Sequence, residues 1–391
     1  MTMLQLPLLR SRYRKAWGRP GKPNCCQSAY ELSGLAQVLL GLLIVLATQL
    51  SVLAQEEKPK LSAGLIAASD ASPARLKELK LKGMNTVIFT LDSLDDESKK
   101  AVSLATTAAK EVGLSVGYWV EVARSPELAD EHPDWMASLQ THDEWRRFFP
   151  DTPKPKANEV AKTYPWVPIL SREPFNAQRE RVVALLADLP TSELIFLNDL
   201  QGAPSACGCG NPLCRWTSDY GERRTTIPLG DDAAALFIHA IRKVSPGSEV
   251  IPVWATECEE HDGHPDGLCA GVGCFNGICW KAYTRQLMPV AATNNRIAVL
   301  ATYKQFQRDV ARYPEASWVH FALKTFGTVP PKHGGKAIDV SRMIAVVQGW
   351  DVSTKEIAAQ QMAAKKAGAH GCVVAFDKIE QSWSPKVIPW K

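Results

Sequence analysis

Residues 193–216 read Glu193-LIFLNDLQGAPSACGCGNPLCR-Trp216. Leu194 to Leu197 is an apolar run of the length of one buried strand. It ends in Asn198-Asp199, and Gly202 and Pro204 then break the chain. Cys207-Gly-Cys209-x4-Cys214-Arg215 follows in the next loop. A carboxylate therefore stands where a strand stops, with a cluster of sulfurs just beyond it.

The same pattern recurs on both sides. Upstream, strands are expected at Ser62–Ala68, Thr86–Leu91 and Ser115–Val120, running into Asp70, Asp92 and Glu121. Between them, helices are expected from Ser72-Pro73 to Gly83 and over Asp95–Val112. Downstream, strands are expected at Glu249–Trp254, Arg296–Thr302, Met343–Gln348 and Gly371–Phe376. Their helices are Pro174–Leu189, Asp231–Val244, Trp280–Ala292, Ala316–Phe326 and Thr354–Ala367. Eight strands alternating with helices define a single α/β domain, a (β/α)8 or TIM barrel, whose chemistry sits at the C-terminal strand ends. The rhythm breaks over residues 123–172, a long insertion rich in Trp, His, Pro and Arg (Trp135, Trp145, Arg146, Arg147, Trp166). Such a stretch covers the mouth or packs as a satellite subdomain.

Composition bounds the class. Net charge is +4 over 391 residues, with 22% charged and 46% hydrophobic, as in ordinary globular chains. Residues 1–54 carry six basic residues (Arg10, Arg12, Arg14, Lys15, Arg19, Lys22) against Glu31, leaving the remainder near neutral. That body gives no electrostatic case for nucleic acid. Leu35 to Ala54 is nearly all apolar behind this basic segment, and Val52-Leu53-Ala54 suits signal-peptidase cleavage. Residues 1–54 are expected to be a signal peptide or an N-terminal membrane anchor, the only membrane contact expected. Residues 55–60 are a linker and 61–391 the barrel. Either reading places the body outside the cytoplasm, secreted, periplasmic or anchored facing outward.

The Asn198-Asp199 pair and the cysteines after it resemble the glycoside hydrolase family 42 beta-galactosidases. Those are TIM barrels with Asn-Glu at the end of strand 4 and a zinc-binding Cys loop shortly after. The close match covers about twenty residues. The acid here is Asp rather than Glu, the last cysteine spacing is longer, and no cysteine lies between Cys26 and Cys207. The resemblance implies a sugar-cleaving relative and would place a nucleophilic Glu on strand 7, where this chain offers Gln348.

Glycoside cleavage needs two carboxyl groups across the scissile bond. Asp199 and Glu257, on the fourth and fifth expected strands, form the preferred catalytic pair, with Asp351 as an assisting carboxylate. Asn198, Asp70, Asp92, Glu121 and Asp377 are expected to line the substrate site. Trp119, Trp254, Trp350 and Trp383, near strand ends, would stack on sugar rings.

The body keeps eight cysteines, seven of them (207, 209, 214, 258, 269, 274 and 279) in the loops after the fourth and fifth strands. They form disulfides, as export permits, or Cys207, Cys209, Cys214 and Cys258 hold a structural zinc. Cys372 is expected to be a buried free thiol. No cofactor is required for the hydrolysis. The alternative functions are a non-catalytic carbohydrate-binding barrel and a metal-dependent hydrolase using the acidic loop around His261 and His264.

Overall fold

The computed structural model describes residues 60–91, 95–136, 146, 149–167, 172–198, 233–255, 296–302, 316–328, 337–379 and 384–389. These belong to one compact unit, Lys60–Lys391. The signal or anchor segment and nearly all of the linker lie outside the described residues, as does the expected helix 280–292.

The strands are β1 (Leu61–Ala67), β2 (Thr86–Thr90), β3 (Ser115–Glu121), β4 (Glu159–Tyr164), β5 (Leu194–Asn198), β6 (Glu249–Ala255), β7 (Ile297–Leu300), β8 (Met343–Gln348), β9 (Gly371–Ala375) and β10 (Ser384–Pro389). The helices are α1 (Pro73–Leu81), α2 (Asp96–Val112), α3 (Pro126–Glu131), α4 (Arg172–Asp188), α5 (Ala233–Val244), α6 (Ala316–Thr328) and α7 (Thr354–Ala367). Eight strands close a barrel in the order β1-β2-β3-β5-β6-β7-β8-β9. Each pairing along that order is parallel, and β9 returns to β1 with Gly371 opposite Leu61. The chain is therefore a (β/α)8 barrel.

Local chemistry sets the helix ends. Ser72 accepts from the Arg75 amide and Pro73 opens α1, while Asp95 accepts from the Ser98 amide at 2.7 Å to open α2. Ser353 and Glu356 form a reciprocal capping box on α7. Gly113 and Gly368 close α2 and α7 in the left-handed region (φ 76° and 88°), which costs glycine no Cβ clash.

Apolar strand residues serve two cores. Leu65, Ile88, Trp119, Phe196, Ile251, Val253, Leu300, Val346 and Val373 fill the barrel interior. Their strand neighbours, such as Val87, Val120, Ile195, Val250, Trp254 and Val299, pack against the helices. With both faces buried, these strands carry almost continuous apolar runs. At the opposite end from the mouth, Arg296 pairs with Glu249 (Nε to Oε1 2.7 Å) and contacts His370 Nε2 at 2.9 Å. Burial, reinforced by the Arg296 charge, lowers the His370 pKa from 6.5.

The described residues of the insertion at 123–172 include regular structure. The insertion contains α3 and β4, and β4 pairs antiparallel with β10, Tyr164 opposite Ser384 and Glu159 opposite Pro389. Its stem is zipped by Val167 N–H to Ala123 O (2.9 Å) and Ser125 N–H to Pro165 O (3.1 Å). Ala161, Trp166 and Val167 are buried with the helix-layer core. Lys386 of β10 pairs with Asp130 and stands over the Tyr164 ring at 4.5 Å, and Tyr164 donates to Asp130 at 3.2 Å. Among the described residues, no helix is long and apolar enough to cross a membrane.

Candidate active site

Strand alternation decides what faces the mouth. Trp119 and Phe196 lie in the barrel interior, so Glu121 and Asn198, two residues further along β3 and β5, share that face. The register sets Glu121 opposite Asn198 and Trp119 opposite Phe196. The same alternation brings Thr90 of β2 and Gln348 of β8 to the inner face, beyond Ile88 and Val346.

Glu121 is the centre of the described site. The Trp119 indole Nε1–H donates to its Oε1 at 2.8 Å, and the Asn198 amide Nδ2–H donates to its Oε2 at 2.8 Å. Both oxygens thus receive a hydrogen bond, which fixes the carboxylate plane. Trp119 is itself held, stacked on Phe196 at 5.9 Å between ring centres. Behind β3, Gln178 of α4 donates its Nε2–H to the carbonyls of Glu121 (3.2 Å) and Val122 (2.8 Å). The Val122 N–H donates to Asn198 O at 2.9 Å, tying the two strand ends together. Asn198 is fully buried, and its Oδ1 accepts no hydrogen bond.

Across the barrel, Gln348 is also fully buried. Its Nε2–H donates to Trp350 O at 3.0 Å. Its main chain is gripped from α7: its N–H donates to Gln360 Oε1 (3.1 Å), and Gln360 Nε2–H donates to its carbonyl (2.9 Å). Trp350 is half-buried against the interior core. Asp351 follows in the left-handed region (φ 53°) and is exposed. Asp70 is exposed in a short 3-10 turn after β1, and Asp377 lies partly buried just past β9.

The structure corrects two sequence expectations. Trp254 is fully buried in the helix-layer core, because Val253 takes the inward position on β6 and its neighbour must face out. It is no sugar platform. Trp119 does face inward, but it is only 1% exposed and its indole is committed to Phe196 and Glu121. It positions a carboxylate rather than stacking on a ring. Trp350 keeps a partly open position at the mouth. Asp199, Glu257, Asp92, Trp383 and Cys207, Cys209, Cys214 and Cys258 lie outside the described residues, with the other loop cysteines and the His261 cluster. Among the described residues, no group of three metal-binding side chains occurs.

Gln178 and Gln360 were not singled out by sequence reasoning. Their signal was present: each is a polar residue inside an apolar helical stripe, Gln178 between Phe175 and Val182, Gln360 between Ile357 and Ala364. Cys372 is a free thiol whose pKa is pushed up to about 12 by burial.

No protein-family model matches the chain, and no curated protein is similar to it, so neither supports the family 42 resemblance. Among solved structures the chain is similar to alpha-L-fucosidase isoenzyme 2 from Paenibacillus thiaminolyticus, at 14% identity and TM-score 0.44. That match covers 82% of this chain and 46% of the fucosidase, so the chain spans less than half of that protein. It is also similar to an unliganded beta-glucosidase (11% identity, TM-score 0.44, 77% of this chain and 76% of that one). A third is a D-psicose 3-epimerase from Clostridium cellulolyticum H10 with D-tagatose (10%, TM-score 0.38, 78% of each chain). Likenesses this distant assign no reaction; the barrel stands on its own strand pairing.

Proposed function

We propose that this chain is a carbohydrate-acting barrel, a glycoside hydrolase working through paired carboxylates at its mouth. The observation that carries the reading is Glu121, a carboxylate on the inner face at a strand end, fixed by an indole and an amide from beneath and beside it. Barrel strand ends of this kind are where catalytic groups are mounted, and a carboxylate held in place suits the positive charge that develops at a sugar carbon during glycoside cleavage. Asp199, next in sequence after β5, and Glu257, two residues after β6, supply the proton donor and the nucleophile or base. Trp350 offers an aromatic face. The cysteine-rich loops staple the mouth through disulfides or a structural zinc, and the body works outside the cytoplasm.

The test is hydrolysis of a panel of aryl glycosides and polysaccharides by the full chain. Asp199→Asn and Glu257→Gln each lower the rate on the order of 10²–10⁴-fold with folding intact. Glu121→Gln gives a smaller loss. Activity that survives Asp199→Asn would remove that residue from the pair.

A second reading is a carbohydrate-binding barrel without catalysis. It is favoured by Gln348, an amide committed to Trp350 O where the family resemblance calls for a carboxylate. Sugar binding without turnover across the panel would select it.

A further inference from the structure

The electrostatics of the inner face are one-sided. Glu121 receives hydrogen bonds from two neutral donors, Trp119 and Asn198. Among the described residues, no Lys, Arg or His side chain pairs with it. The inward polar residues at or just past the described strand ends (Thr90, Glu121, Asn198, Thr302, Gln348 and Asp377) include two carboxylates and no cation. A partly buried carboxylate normally has a counter-charge, because burial removes the water that would otherwise stabilise it.

A second, independent observation lies beside it. Asn198 spends its Nδ2–H on Glu121, and its Oδ1, on the same planar amide, is fully buried and accepts nothing. A buried acceptor without a donor is uncommon and costly. Asn198 Oδ1 thus has no donor, while Glu121 keeps lone pairs beyond its two neutral donors and has no counter-charge among the described residues.

We infer that the mouth binds a ligand carrying a protonated primary amine, seated against the Glu121 carboxylate and Asn198 Oδ1. An ammonium is all donor and no acceptor, so it satisfies both groups and leaves no lone pair unmatched. A neutral hydroxyl supplies one donor and brings lone pairs into a face already rich in acceptors. On the carbohydrate reading, on which this inference rests, the ligand is an amino sugar with a free amine or a polysaccharide built from such units. Specificity follows from charge: an acetylated or neutral analogue leaves the carboxylate uncompensated.

The experiment is calorimetric titration of the full chain with glucosamine, N-acetylglucosamine and glucose, at a pH where the amine is protonated. Calcium and magnesium chloride are titrated separately. Glucosamine is expected to bind at least about tenfold more tightly than either neutral sugar, and raising the pH through the amine pKa removes the preference. Glu121→Gln, which keeps the shape and removes the charge, brings glucosamine down to the level of glucose. The comparison among ligands on the wild type needs no variant to fold. Equal or tighter binding of glucose or N-acetylglucosamine overturns the inference and leaves the carbohydrate reading standing. Binding of a divalent cation that is lost in Glu121→Gln overturns it in favour of a metal site. Absence of binding by any of the sugars counts against both.

Discussion

Glu121 shows how much one side chain depends on those around it. Its position comes from β3, its orientation from Trp119 and Asn198, and the strand end beneath it from Gln178. Gln360 does for β8 what Gln178 does for β3. Replacing Gln360 with Ala removes the two hydrogen bonds it makes to the buried main chain of Gln348, and should cost about 2–4 kcal/mol in urea unfolding. A loss under about 1 kcal/mol would mean the contact is incidental. His370 supplies a pH dependence with a definite sign. Burial, and then Arg296, lower its folded pKa below 6.5, while Glu249 pulls the other way and Lys60 adds to the lowering. Above that pH both states are neutral and His370 contributes nothing. As pH falls through 6.5, the unfolded chain takes up a proton that the folded chain resists, so stability drops. Wild type should therefore lose stability faster than His370→Gln between pH 7 and pH 5; parallel curves would dismiss the effect.

At the scale of elements, the sequence was legible where local chemistry and burial agree. β8 and α7 fall at the expected residues, and Ser353 and Gly368 mark the ends of α7 without ambiguity. Ser353→Ala should cost about 1 kcal/mol, since the box satisfies two backbone groups; thermal unfolding will read it. Facing was not legible. In Glu249-Val-Ile-Pro-Val-Trp-Ala255 every residue after the first is apolar, because both faces of a barrel strand are buried. The period of two is erased, so nothing local says that Val253 points in and Trp254 out. β4 and β10 were missed for a different reason. EVAKTY and SPKVIP are weak strand signals alone, and they become strands by pairing across most of the chain. Deleting residues 384–391 should leave the barrel folded but strip hydrogen-exchange protection from Val160 to Tyr164. Unchanged protection there would show that the insertion stands without β10.

For the whole molecule, the paired acids and the cysteine loops are the parts that rest on sequence alone. Asp199 and Glu257 stand out by position, following strands that the structure bears out. The cysteines stand out by density: seven of the body's eight fall within two short stretches, 207–214 and 258–279. If the body works outside the cytoplasm, as proposed, such crowding favours disulfides. Alkylation of the purified protein should accordingly label more cysteines after reduction than before, with Cys372 inert throughout because of its high pKa. Labelling that increases on chelation instead would point to zinc.

The pairing of β10 with β4 also governs when the molecule can be finished. Lys386 and Asp130 are 256 residues apart, and β1 waits longer still for β9. A ribosome adding roughly 5–20 residues per second takes roughly 10–50 s to cover that interval. Throughout it, the nascent insertion carries an apolar surface with no partner yet made. Slower elongation lengthens the interval during which that surface is exposed.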